Sequence, residues 1–299
     1  MTWYSQRVPS LAELSPSLFP IQQYVVRDQK SLEILLNRGD NSNGQFRSPL
    51  SSSILGGSLT SAQILPLTSY CAMSNDNCDN APVKCRFEKL LRRTYCPYAS
   101  LAKISFGPSW RSDENTRENL KRYIDHFDEF TQRIELDKID MFVLEVRDQN
   151  HLQNINAFST FLHTLLERLH NADPTRTGAL IEGITSPEWD FKYKRLKFFV
   201  LTFAPFYDKY HGRYSHCEDT GFITFQPDQS FDRFGINRKS PNRLKVSEAV
   251  RDAFEEGGIR YHFSLVTRAV KALRYIQPLE VAQDPVEWWK EPTIEDGSS

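Results

Sequence analysis

Residues 189–234 read WDFKYKRLKFFVLTFAPFYDKYHGRYSHCEDTGFITFQPDQSFDRF. Two runs within it, 196–205 and 220–227, are rich in Phe, Val, Ile, Leu and Thr and read as strands, each closed by a proline that cannot donate to a sheet ladder. The 14 residues between them are more than a hairpin turn needs and are dense in Tyr, His and Arg. Long ordered connections of this kind tend to carry function. Working outward, IDMFVLEV (139–146) is a third strand, short, apolar and followed by polar RDQN.

Helical periodicity flanks these strands. Leu120, Tyr123, Ile124, Phe127 and Phe130 recur every three or four residues, predicting an amphipathic helix capped at Ser112, with Asp113 and Glu114 in its first turn, and running to about 133. Ile155, Phe158, Leu162, Leu165, Leu166 and Leu169 define a second helix, ended by the Asn-Ala-Asp-Pro at 171–174. Further helices are expected at 245–256, with Val246, Ala249, Val250, Ala253 and Phe254 inward, and at 264–276, with a short amphipathic piece at 228–235. Helix and strand alternate, so the fold class is α+β (or α/β): a single domain with a mixed sheet flanked by helices.

At 299 residues with 39% apolar side chains the chain is ample for such a core. Its 37 basic and 38 acidic residues nearly cancel, which argues against nucleic acid as a partner. No run of about 18 apolar residues is present and no basic-then-apolar leader opens the chain, so no membrane is expected and the location is cytoplasmic. Five cysteines, Cys71, Cys78, Cys85, Cys96 and Cys217, are an odd number at spacings that match neither a disulfide framework nor a zinc site. The expected division is an N-terminal helical segment (1–38), a Ser/Gly/Asn-rich flexible linker or insertion (39–62), the main domain (63–290) and a disordered tail (291–299).

Phosphate-loop, dinucleotide, zincin and nucleophile-elbow signatures are all absent. In the long connection, His211 sits among Tyr207, Tyr210, Arg213 and Tyr214, as an axial haem ligand or general base on one account and as a surface histidine on the other. Arg213 offers a planar fork for a carboxylate, or forms a surface ion pair. Cys96, near Arg92 and Arg93, is a reactive thiolate or iron ligand, or a buried inert thiol. Ser105 and Ser109 lie in a small-residue turn that could serve a haem-free transferase or condensing enzyme, or be a plain capped loop. His163 and His170 share a helix face two turns apart, too far for one small metal ion, and His126 lies off the apolar stripe, at the surface.

TYCPYA (94–99), the 198–234 segment and the closing Glu287-Trp288 together resemble the YqcI/YcgG family. The family's pattern has a Phe-Pro-Cys stretch, which TYCPYA resembles, a strand ending in Pro, an Arg-containing loop and a strand ending in Phe-Gln-Pro or Phe-Asn with a Phe four or five residues on. Pro205, Arg213, Phe225, Gln226 and Phe231 match it. The resemblance implies a haem-dependent oxygenase that N-hydroxylates an amine or guanidine of an amino-acid-like substrate in secondary metabolism. It implies haem b, O2 and an external reductant, delivered by an electron-donor protein. His211 would be the ligand or distal acid, with Cys96 the alternative ligand, Arg213 the carboxylate partner, and Tyr207, Tyr210 and Phe199 the pocket walls. Some bacterial relatives end the first strand in His-Pro where this chain has Ala204-Pro205. Either His211 or Tyr207 then takes the iron role, or haem is bound differently. The other expectation from the residues is a non-catalytic small-molecule-binding protein.

Overall fold

A computed structural model describes residues 82–290, apart from 97, 100, 178, 234–239 and 242. The expectations for 1–38, 39–62 and 291–299, and for Cys71 and Cys78, lie outside the described residues. The architecture is mixed α+β, as the alternating pattern predicts. In chain order it contains α1 (Val83–Arg93), β1 (Ile104–Phe106), α2 (Thr116–Asp137), β2 (Met141–Val146), a single turn α3 (Gln149–Leu152) and α4 (Ile155–Ala172). Then follow β3 (Phe191–Tyr193), β4 (Leu196–Phe203), β5 (Gly221–Pro227), α5 (Asp228–Arg233), α6 (Arg243–Glu256) and α7 (Phe263–Val266). The sheet order is β1-β2-β5-β4-β3, parallel between β1 and β2 and antiparallel elsewhere.

Strand alternation sorts the side chains onto two faces. Phe142, Leu144 and Val146 of β2, Ile223 and Phe225 of β5, and Phe198 and Val200 of β4 join the main core with α2 and α4. Phe127 is the hub of that core. Its ring meets Phe142 at 5.6 Å, Phe225 at 4.8 Å, Phe198 at 5.3 Å and Tyr193 at 5.2 Å, one partner from each of β2, β5, β4 and β3. The opposite face carries a smaller cluster in which Val83, Phe87 and Leu90 of α1 cover Met141, Val143 and Phe222. Glu145 points to this second face and is fully buried; Arg86 of α1 pairs with its Oε2, and the Trp110 amide donates to Oε1 at 2.7 Å.

Several boundaries differ from expectation. Asn115, not Ser112, caps α2: its side chain accepts from the Glu118 amide while Glu118 reaches back to the Asn115 amide, a reciprocal capping box that three extra residues of turn make room for. The 264–276 region is not one helix but α7 plus a 3-10 turn, Ala272–Arg274. Side chains have taken the carbonyls that a helix would use: Trp288 donates to Ala272 O, Arg213 to Arg274 O and Thr202 to Tyr275 O. Among the described side chains of α6 only Phe254 is buried, and Val246, Ala249, Val250 and Ala253 are half-covered. α1 and β3 were not foreseen, the first because a buried arginine interrupts its apolar stripe. No helix among the described residues is long and apolar enough to cross a membrane.

Because Phe127 is the one ring shared by four strands, Phe127→Ala should lower unfolding free energy by about 3–5 kcal/mol, read from the urea midpoint. Phe127→Leu, which keeps apolar volume, should lose less. A loss for Phe127→Ala within about 1 kcal/mol, the level of a surface change, would show that the strands hold without the hub.

Candidate functional site

The β4–β5 connection leaves the sheet at Ala204 and folds back on it through the Ala204–Tyr214 bridge, with Ala204 N donating to Arg213 O and Ser215 N to Ala204 O. A second bridge joins His211 to Arg260, where Arg260 N donates to Tyr210 O at 2.7 Å. The connection thus lies between the end of β4 and the chain that runs from α6 to residue 280.

Tyr207, His211 and Arg213 come together here, and each is bound to main chain. The Tyr207 hydroxyl donates to Gln277 O at 2.7 Å. Its ring stacks on His211 at 4.3 Å and 10°. His211 Nδ1 accepts from the Arg213 amide at 3.0 Å, so the ring proton resides on Nε2, which donates to Pro278 O at 3.1 Å. Arg213 donates to Thr202 O and to Arg274 O, both at 3.3 Å, and lies over the Phe203 ring. No carboxylate pairs with Arg213 among the described residues, and burial lowers its guanidinium to about 10. The three side chains form a clamp on the carbonyls of residues 274–278.

Other expected site residues fall elsewhere. Tyr210 is exposed at the loop tip, with Lys209 over its ring. Phe199 is half-buried on β4 against Phe231 and Tyr275, away from the clamp. Cys96 is half-buried and burial pushes its thiol up, the opposite of an activated thiolate. Ser105 and Ser109 have no imidazole or carboxylate on their hydroxyls among the described residues, so neither has a base partner. His163 packs near Trp288, and His126 is exposed beside Glu129.

Two histidines that drew no attention in the sequence stand out by geometry. His262, just before α7, is 2% exposed, its ring is 5.1 Å from that of His211, and its buried Nε2 has no hydrogen-bond partner among the described residues. Its imidazole is held below the usual range by burial, then by Arg213 and Arg260. His216 has an unpartnered buried Nδ1 as well, on a left-handed backbone (φ 57°). It lines a small cleft of about 10 Å³ with Arg93, Thr94, Phe203, His211, Tyr214 and Phe254. A second cleft, of about 110 Å³, lies by Trp189, Asp190 and His170 and contains none of the expected site residues.

The YqcI/YcgG family model matches residues 98–267, which span the whole sheet except for its helix α1 cover, the connection and His262. The chain belongs to the YqcI/YcgG family. No curated protein and no solved structure matches it. The haem that the YqcI/YcgG resemblance implies can be tested against the donors present. His211 does not fit as axial ligand, because both ring nitrogens are bound within the protein. That corrects the expectation drawn from its place among tyrosines, which shows neighbours in sequence but not the carbonyl 67 residues away. Among buried imidazoles, His262 retains a free nitrogen, the donor type that iron accepts. His262 thus offers the donor type, but it is 2% exposed and lines neither cleft, so the fit is of the donor atom alone and not of a porphyrin. The cleft by His216, about 10 Å³, is far below the ~300–1,000 Å³ of drug-sized ligand sites and does not hold a porphyrin, and His262 is not among its lining residues.

His211 also sets a pH response. Burial, with His262 and Arg213 nearby, lowers its pKa from 6.5 to about 3. Between these values the unfolded chain binds the extra proton, so this contribution to stability is full above about 6.5 and is lost as pH falls towards 3. Urea unfolding of the haem-free protein should give a midpoint that drops steadily below pH 6.5. His211→Asn should be less stable at pH 8, by about 1–3 kcal/mol, and show a shallower acid slope. Parallel slopes for the two proteins would contradict the clamp.

Proposed function

We propose that the chain is a haem-dependent oxygenase that hydroxylates nitrogen on a small amine or amino-acid-like substrate. Membership of the YqcI/YcgG family supports the class, and the observation that carries the site is the free Nε2 of buried His262. His262 would hold the iron of haem b. Haem, when bound, supplies the oxygen chemistry, with O2 and an external reductant delivered by an electron-donor protein.

The chain's own residues do the positioning. Tyr207 and His211 fix segment 274–278 through its carbonyls and keep a neutral imidazole beside His262. Burial, then the charges of Arg213 and Arg260, hold His262 below its usual range and so favour the neutral form that a metal-binding imidazole needs. Cys96, with its thiol raised by burial, is the alternative donor.

A second reading, a non-catalytic small-molecule-binding protein, is favoured by one specific observation: the polar groups of Tyr207, His211 and Arg213 all bond main chain. Ultraviolet-visible spectra of protein expressed with a haem precursor separate the two. The oxygenase reading expects a Soret band in the wild type, its loss or displacement in His262→Ala, and its retention in His211→Asn and Cys96→Ser. A folded, colourless wild type leaves the binding-protein reading in place.

A further inference from the structure

The main core is complete without α1. No residue of α1 belongs to the cluster around Phe127. Its apolar side chains, Val83, Phe87 and Leu90, form the separate cluster on the opposite face of the sheet. The family match also begins at residue 98, after α1 has ended. Helix α1 therefore covers a sheet that is already packed on its other side.

The contacts that hold this cover are of unequal kinds. Phe87 packs edge to face on Phe222 at 5.2 Å and on Phe106 at 6.1 Å. Arg86 and Glu145 pair with side-chain exposures of 2% and 0%. Withdrawing two charges from water offsets most of their attraction, so the pair fixes one register of α1 more than it stabilises the closed form. At the C-terminal end, the ring of Tyr95 rests on the backbone of Gly257, where a Cβ would stand 2.3 Å from the ring, and it meets Phe254 at 6.2 Å. Tyr95 is nonetheless 44% exposed.

Groups beneath α1 are withheld from solvent. Cys217 is 2% exposed, with its thiol 3.9 Å from the Arg86 carbonyl. Leu90 and Arg93 line the cleft of about 10 Å³ together with Phe203, Tyr214 and His216. That space takes about one water. As it stands, the connection between β4 and β5 admits no ligand from this side.

We propose that α1 is a lid: it lifts from the second face of the sheet as a unit while the main core stays folded, and its lifting opens the connection carrying Tyr214 and His216 to a small molecule. Elements held by few apolar side chains open locally at lower free energy than the core. Arg86 and Glu145 both regain water when α1 lifts, so neither is left as a buried, unpaired charge. On closing, they give the helix one seat. Tyr95 on Gly257 is the latch. The opening needs no haem, and only its use as an entry for haem or substrate rests on the oxygenase reading.

Cys217 reports the opening. The full chain is treated with N-ethylmaleimide at a series of low urea concentrations, and the initial rate of modification at Cys217 is followed by peptide mass spectrometry. The rate should exceed at least tenfold the rate set by global unfolding, taken from the urea transition in tryptophan fluorescence. It should also rise less steeply with urea, because lifting α1 exposes less surface than unfolding. Tyr95→Ala, at an exposed position, should raise the rate severalfold with the urea midpoint unchanged. Arg86→Met should raise it at least tenfold, since Glu145 is then unpaired unless α1 is open. A Cys217 rate with the urea dependence of global unfolding would overturn the lid, as would a Tyr95→Ala variant labelled no faster than the wild type. The Soret measurement is independent: a colourless protein with fast labelling ends the oxygenase reading alone, and a coloured protein labelled only through global unfolding ends this proposal alone.

Discussion

The contact of one ring, Phe127, with rings from four strands is the constraint on which the remainder depends. Aromatic rings packed edge to face have direction as well as area. Fixing Phe142, Phe225, Phe198 and Tyr193 around a single residue of α2 therefore sets the order and height of β2, β5, β4 and β3 together. The end of β4 and the start of β5 are then placed, and the connection between them can only fold over the adjoining edge, where residues 274–278 pass. The main-core phenylalanines act as this frame, and Tyr207 of the connection joins the same core.

The polar residues of that connection meet a second requirement. Segment 274–278 forms no main-chain ladder with a strand among the described residues, so its carbonyls need donors from side chains. Tyr207, His211 and Arg213 provide them. A cluster of Tyr, His and Arg in a long loop looks like chemistry in a sequence, because those residue types serve both catalysis and main-chain capping. Here the clamp uses the polar groups of Tyr207, His211 and Arg213, and buried ring nitrogens without a partner lie at His262 and at His216.

Local pattern carried much of the fold. The strands at 139–146, 196–205 and 220–227 and the helices around Phe127 and Leu162 follow from alternation and three-to-four spacing, and each occurs within a few residues of its expected bounds. What pattern missed depends on distant partners. Arg86 looks like a break in an amphipathic stripe until Glu145, 59 residues on, is beside it. Residues 264–276 look helical until Trp288, Arg213 and Thr202 take the carbonyls. The competition between Ser112 and Asn115 for the cap was decided by Glu118, three positions after Asn115, a signal present in the sequence. His262 carries no local mark at all; its interest is the absence of a partner, which only three dimensions reveal.

The sheet order has a consequence for how the chain is made. β5 is last of the strands in the chain yet lies between β2 and β4, so the ribosome delivers β1, α2 and β2 some 70 residues before their neighbour exists. Throughout that interval β2, MFVLEV, which is buried on both faces in the finished protein, presents an open apolar edge. Such an edge is a template for pairing with another nascent chain. β2 gains its second neighbour only once β5, which ends at Pro227, has emerged.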